Sequence, residues 1–190
     1  MYSESIRLRQ GAQSIVHPII LHPLGTTGYE PALVTALGDC LVAVQDWYVR
    51  LTGLGLSFGP LVEKLGEKAL SDFANEPRPE VAYVMDVLRG YEWPLNSNTC
   101  YLIVLRGSGG WAGYADYQNL AIVGDAFAEA RLGNAVEAAR LMQVDPSARR
   151  ATVDGGGATL AHELGHLIGM EDEHDPSIDT LMGGGIERWP

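Results

Sequence analysis

The sequence predicts an α+β domain in which a mixed β-sheet packs on helices, and three segments carry that expectation. Pro31 to Leu51 repeats apolar residues at helical spacing, Tyr101 to Leu105 is an unbroken apolar run of strand length, and Thr159 to Gly169 is a second amphipathic helix with polar chemistry along one side. A chain of 190 residues has the size of one domain and can bury a core, so residues 1–190 are read as a single domain.

Along the chain, Ile6 to Gln10 alternates apolar and polar residues, and Ser14 to Leu21 is rich in β-formers although it contains Pro18. A turn follows through Gly25, Thr26, Thr27 and Gly28. Pro31 suits a first helical position. Leu33, Leu37, Cys40, Leu41, Val44, Tyr48 and Leu51 then form one apolar face of a helix over Ala32 to Leu51, which Gly53 can end. Shorter helical patterns cover Leu61 to Phe73 and, after Pro77 and Pro79, Glu80 to Leu88. Tyr101 to Leu105 reads as a strand buried on both faces, and Trp111 to Tyr117 and Leu120 to Val123 are further strand candidates. Asp125 can cap a helix that starts at Ala126 and continues to Met142. Asp154 to Gly157 is a loop leading into the last helix.

The formal net charge is −11, which argues against nucleic acid or an anionic membrane as a partner. No apolar run reaches the roughly 18 residues that span a bilayer. No export leader is read at the start, where Glu4, Arg7 and Arg9 lack an apolar stretch behind them. Cys40 and Cys100 lack metal-ligand spacing. As a disulfide they would close a loop of about 60 residues, worth on the order of 4 kcal/mol; as separate residues they are buried thiols. Nothing resembles a phosphate loop, a dinucleotide fingerprint or a serine-nucleophile turn.

The chemistry concentrates in TLAHELGHLIG, residues 159–169. His162 and His166 are four apart, so on a helix their imidazoles sit on one face, one turn apart, within reach of one ion. Leu160, Leu164, Leu167 and Ile168 point mainly to other sides and anchor the helix. Glu163 stands where a carboxylate can face a metal-activated water without ligating the metal; zinc brings the pKa of such a water to about 7, and Glu163 can take its proton as general base. Gly169 allows the helix to stop and the chain to turn back with a third ligand. The bland alternative is a surface helix with two histidines, since HExxH arises by chance in roughly one such chain in a hundred; Gly169 and a ligand-capable residue at the next spacing make coincidence far rarer.

HELGHLIGMED matches the HExxHxxGxxH/D pattern and resembles the metzincin zinc peptidases. The resemblance implies that Asp172, three residues after Gly169, is the third ligand, as in the snapalysin-type bacterial secreted peptidases. His174 is the alternative third ligand. Asp179 to Gly184 (DTLMGG) is similar to the metzincin Met-turn, which makes Met182 a support beneath the metal. The resemblance also implies a zincin-like fold: a twisted mixed sheet, a long N-terminal helix (here Ala32 to Leu51) and the zinc helix at the cleft floor. It implies an edge strand that pairs with substrate, for which Gly110, Trp111, Ala112 and Gly113 are the candidates. At motif level it covers only His162 to Gly184.

The expected activity is therefore zinc-dependent endopeptidase action on proteins or peptides. It uses one catalytic Zn2+, held by His162, His166 and Asp172, with Glu163 as base, in a secreted monomer. Calcium is left open as a further ion. The alternative is a non-catalytic, zinc-stabilised binding protein with the same fold; Glu163 speaks against it, because a purely structural zinc site has no use for that carboxylate. His17 and His22, beside Pro18 and Pro23, read as strand or loop residues, not ligands.

Overall fold

The structure, a computed structural model, describes residues 15–26, 31–52, 56–91, 99–108, 113–115, 119–124 and 156–167. In chain order the elements are β1 (Ile15–His22), α1 (Pro31–Thr52), β2 (Ser57–Phe58), β3 (Val62–Leu65), a single 3-10 turn (Leu70–Phe73), α2 (Pro79–Gly90), β4 (Thr99–Leu105), β5 (Gly113–Ala115), β6 (Leu120–Gly124) and α3 (Gly156–Leu167). The sheet runs β2-β1-β4-β6-β5, with β3 also pairing β1. All pairings are parallel except β5 with β6, which is antiparallel and forms one edge. The architecture is mixed α/β with a mostly parallel sheet. Among the described residues no helix is long and apolar enough to cross a membrane.

Helices cover both faces, and this explains the unbroken apolar run in β4. Leu102 and Val104 point to one face, where Val16, Ile20, Ala121 and Val123 meet Leu37, Leu41, Val44 and Tyr48 of α1 and Leu160, Ala161 and Leu164 of α3. Tyr101, Ile103 and Leu105 point to the other, where Ile19, Leu21, Leu120 and Ile122 meet Tyr83, Val84, Val87 and Leu88 of α2. Each fully enclosed aliphatic side chain contributes about 1.5–3 kcal/mol by leaving water. The helical stripe read from Leu37, Leu41, Val44 and Tyr48 is thus a buried face, while Val42 and Val49 on the opposite side are exposed.

Pro18 lies inside the sheet, where its missing N–H should break a ladder. The carbonyls of Val16 and His22 accept hydrogen bonds from the N–H groups of Gly59 (2.8 Å) and Gly66 (2.7 Å), so even-numbered residues of β1 direct their backbone groups toward β2 and β3. Leu21 O instead accepts from Arg106 N–H at 2.9 Å, on the β4 side. Val16 pairs with Phe58 but Ile19 with Val62, so three steps along β1 face four along the partner. The slip falls opposite Pro18, after the Gly59 hydrogen bond and before Val62 rejoins the ladder. The proline occupies the one stretch of this edge that asks for no donor.

Leu61 to Phe73 is not the helix its spacing suggested; it is β3 followed by the 3-10 turn. Leu61 packs on the core, but Leu65, four residues on, is 71% exposed, so the two never form a buried helical stripe. Parallel pairing with β1 from Ile19↔Val62 to His22↔Leu65 satisfies the backbone instead. Gly66 ends the strand where a Cβ would run into the Tyr83 hydroxyl. The candidate strand at Ile6 to Gln10 and the candidate helix from Ala126 to Met142 lie outside the described residues. The strand candidates Trp111 to Tyr117 and Leu120 to Val123 appear as β5 and β6, the first trimmed to its described core.

Gly66→Ala should lose about 1–3 kcal/mol in urea melts, because Tyr83 is fully enclosed and has little room to give. Gly38→Ala should gain about 0.5–1 kcal/mol, since Gly38 sits inside α1 with open space where its Cβ would go.

Burial pushes the Tyr83 hydroxyl up to about 12, with Tyr91 and Asp86 adding to the shift. An unfolded tyrosine loses its proton near pH 10, so above that pH the unfolded chain releases a proton the folded one keeps. Stability is present in full below about pH 10 and declines as the pH rises toward 12. Between pH 8 and 11 the urea midpoint of the wild type should fall further than that of Tyr83→Phe.

Candidate metal centre

Helix α3 lies against β6, β5 and α1. Leu160, Ala161, Leu164 and Leu167 are buried on the sheet face that α1 shares. The 100° rotation per residue then turns His162 and His166 away from that face, with Glu163 between them and Leu167. His162 is partly exposed, while Glu163 and His166 are buried.

The two imidazoles turn the same nitrogen toward each other. His162 Nε2 and His166 Nε2 are 3.2 Å apart, with the rings nearly perpendicular at 87° and their centroids 4.8 Å apart. Two nitrogens bound to one tetrahedral zinc at about 2.0–2.1 Å are about 3.3 Å from each other. The pair therefore fits a shared ion in donor type and in spacing, with the two Nε2 atoms facing each other at hydrogen-bond distance.

Glu163 projects toward the edge strand. A Cβ built on Gly113 would lie 2.5 Å from Glu163 Oε1 and 3.0 Å from both Cδ and Cγ. The carboxylate thus lies directly against the backbone of β5, the strand whose outer side has no partner among the described residues. Gly113, read from sequence as the end of the edge-strand segment, is the first residue of β5 and pairs with Val123. Gly110, Trp111 and Ala112 lie outside the described residues, as do Asp172, His174 and Met182. Among the described residues no group of three His, Cys, Asp or Glu converges.

His17 and His22 are both in β1, as strand histidines. The His17 ring packs near Tyr101 at 5.9 Å. His22 is buried, with Nε2 hydrogen-bonded to Glu63 Oε1 at 2.8 Å. Cys100 is buried in β4; the side chain of Cys40, and with it the question of a disulfide, lies outside the described residues.

In the sequence Tyr48 stands only as part of an apolar stripe. Its ring is fully buried, and its hydroxyl donates to the backbone carbonyl of Ala161 at 2.5 Å. This ties the C-terminal part of α1 to the residue before His162. Burial raises the phenol well above its ordinary range, so the hydroxyl stays a donor. A tyrosine in an otherwise aliphatic stripe was the available signal, because a buried phenol needs a partner for its polar tip.

No protein-family model matches the chain, and no curated protein matches it. The chemistry of the site itself carries the functional reading.

Tyr48→Phe removes the α1–α3 hydrogen bond and keeps the ring. It should cost about 1 kcal/mol, read as a lowered urea midpoint with an unchanged slope.

Proposed function

We propose that this chain is a zinc-dependent endopeptidase of the metzincin type, cutting proteins or peptides and working as a secreted monomer. The observation that carries the reading is the convergence of His162 Nε2 and His166 Nε2 at 3.2 Å on a helix that also directs Glu163 against an edge strand. Two features that the motif resemblance implies are consistent with it: a long helix early in the chain, and an edge strand beside the motif helix.

His162 and His166 would hold the metal with one further ligand from the chain after Leu167, where Asp172 has the family spacing and His174 is the alternative. Zinc when bound supplies Lewis acidity, which polarises a carbonyl and acidifies water. Glu163 is the group that moves protons. It takes one from the attacking water at a carboxylate oxygen and passes it to the leaving amine nitrogen, so the peptide C–N bond breaks with no net change at the enzyme. An extended substrate can add to β5 through main-chain hydrogen bonds, which would lay its scissile bond past the Glu163 carboxylate. Met182 would support the site from below.

Hydrolysis of unfolded casein should be abolished by 1,10-phenanthroline and restored by zinc. Glu163→Gln should bind zinc as the wild type does and lose about 10²–10⁴-fold in kcat. A zinc-loaded, folded wild type that cuts neither casein nor a mixed peptide library would instead indicate a zinc-stabilised binding protein.

The third ligand separates by metal content. Asp172→Ala should lose zinc on dialysis while His174→Ala keeps it, measured by atomic absorption; the reverse result would assign the site to His174.

A further inference from the structure

We infer that Gly113 is a positioning residue for Glu163: the hydrogen it carries in place of a side chain lets the Glu163 carboxyl lie against the edge strand. The inference rests on the peptidase reading, in which Glu163 moves the proton.

Three atoms of the Glu163 side chain crowd the place where a Cβ on Gly113 would be, Oε1 at 2.5 Å and Cδ and Cγ at 3.0 Å. Rotating the terminal carboxyl alone relieves only the first of these. Because Cγ is also too close, a methyl group at 113 forces the whole side chain to swing about its inner torsions. Glu163 is 7% exposed, so its present position is enclosed and any new one is different in kind.

The strand is built for this approach. Successive residues of β5 face opposite sides. Tyr114 packs with the core on the α2 side, while Ala115 packs with the core on the α3 side, so Gly113 shares the α3 face with Ala115. Both residues that β5 turns toward α3 are the smallest available. The position of Gly113 opposite Val123 in the antiparallel ladder holds its backbone in place.

The consequences for folding and for rate separate. Glu163 is long and unbranched, so it can swing aside at little cost in stability. A proton-transfer group displaced by about 1 Å can lose on the order of 10²-fold in rate. Substituting Gly113 should therefore strike turnover while sparing metal binding and folding, which is the opposite of an ordinary packing defect.

The test is Gly113→Ala, alone and combined with Glu163→Ala. Alone, it should lower kcat on an unfolded protein substrate about a hundredfold, with KM and bound zinc unchanged and a melting temperature equal to or slightly below wild type. In the Glu163→Ala background the obstructing atoms are gone, and the same substitution should raise the melting temperature by about 1–3 °C, as Gly to Ala does in an unstrained strand. Should Gly113→Ala alone fail to fold, recovery of folding on adding Glu163→Ala supports the inference, and failure in both overturns it. Undiminished kcat, loss of zinc, or the same melting shift in both backgrounds also overturns it. A wild type with no chelator-sensitive cleavage overturns the peptidase reading instead, and the melting comparison, which needs no activity, still decides the contact.

Discussion

The distance at which α3 can lie on the sheet governs the rest of the molecule. A helix that buries one side and offers chemistry on another must sit at a fixed depth, or the polar side is either drowned or carried out of reach. Here Leu160 and Leu164 are fully buried in one cluster with Ala161 of the helix and Ala121 of β6. The Tyr48 hydroxyl then fixes the helix along its axis through the Ala161 carbonyl. Those contacts are apolar packing and one hydrogen bond, and together they determine where His162, Glu163 and His166 fall.

The sheet topology serves the same placement. Parallel strands need long connections, and the chain uses α1 between β1 and β2 and α2 between β3 and β4. Those helices take opposite faces, which seals the central strands from water on both sides. The last strand pairing differs: β5 runs antiparallel to β6 and leaves one backbone edge beside α3. A parallel sheet sealed on both faces offers a ligand its strand ends and its edges; this one brings its motif helix to an edge.

Much of this was legible in the sequence where one physical signal dominated. The α1 stripe survives because Leu37, Leu41, Val44 and Tyr48 are long apolar side chains at helical spacing with exposed residues between them. YLIVL is readable as a doubly covered strand since no half-exposed strand tolerates five apolar residues in succession. The His162–His166 pair follows from helix geometry alone. Reading failed where pairing with a distant segment decided the outcome. Leu61 and Leu65 have helical spacing, yet the ladder offered by β1, nearly forty residues earlier, was the stronger partner. Ser14 to Leu21 reads as β-rich in spite of Pro18, but the one-residue slip that accommodates the proline lies in another strand and has no local signature. The apposition of Gly113 and Glu163 has no local signature either, since fifty residues of chain separate them and only the fold brings them together.

The exposure gradient across the motif bears on how such a site would work. His162 is partly open while Glu163 and His166 are buried, so among the described residues the open side of the pair is that of His162. A buried carboxylate that is to carry a proton needs its partners in place beforehand, because water cannot reorganise around it during the reaction. The backbone of β5 limits that carboxylate to one side, and the helix limits it to the other. In the proposed site, two nitrogens on one helical face supply only part of a tetrahedral set, and one position must stay open for the reacting oxygen. One more protein donor is then required. The strands and helices packed around His162 and His166 supply none among the described residues, and the proposed reading takes the donor from the chain beyond Leu167. There Gly169 permits a reversal, and Asp172 and His174 follow within one short span.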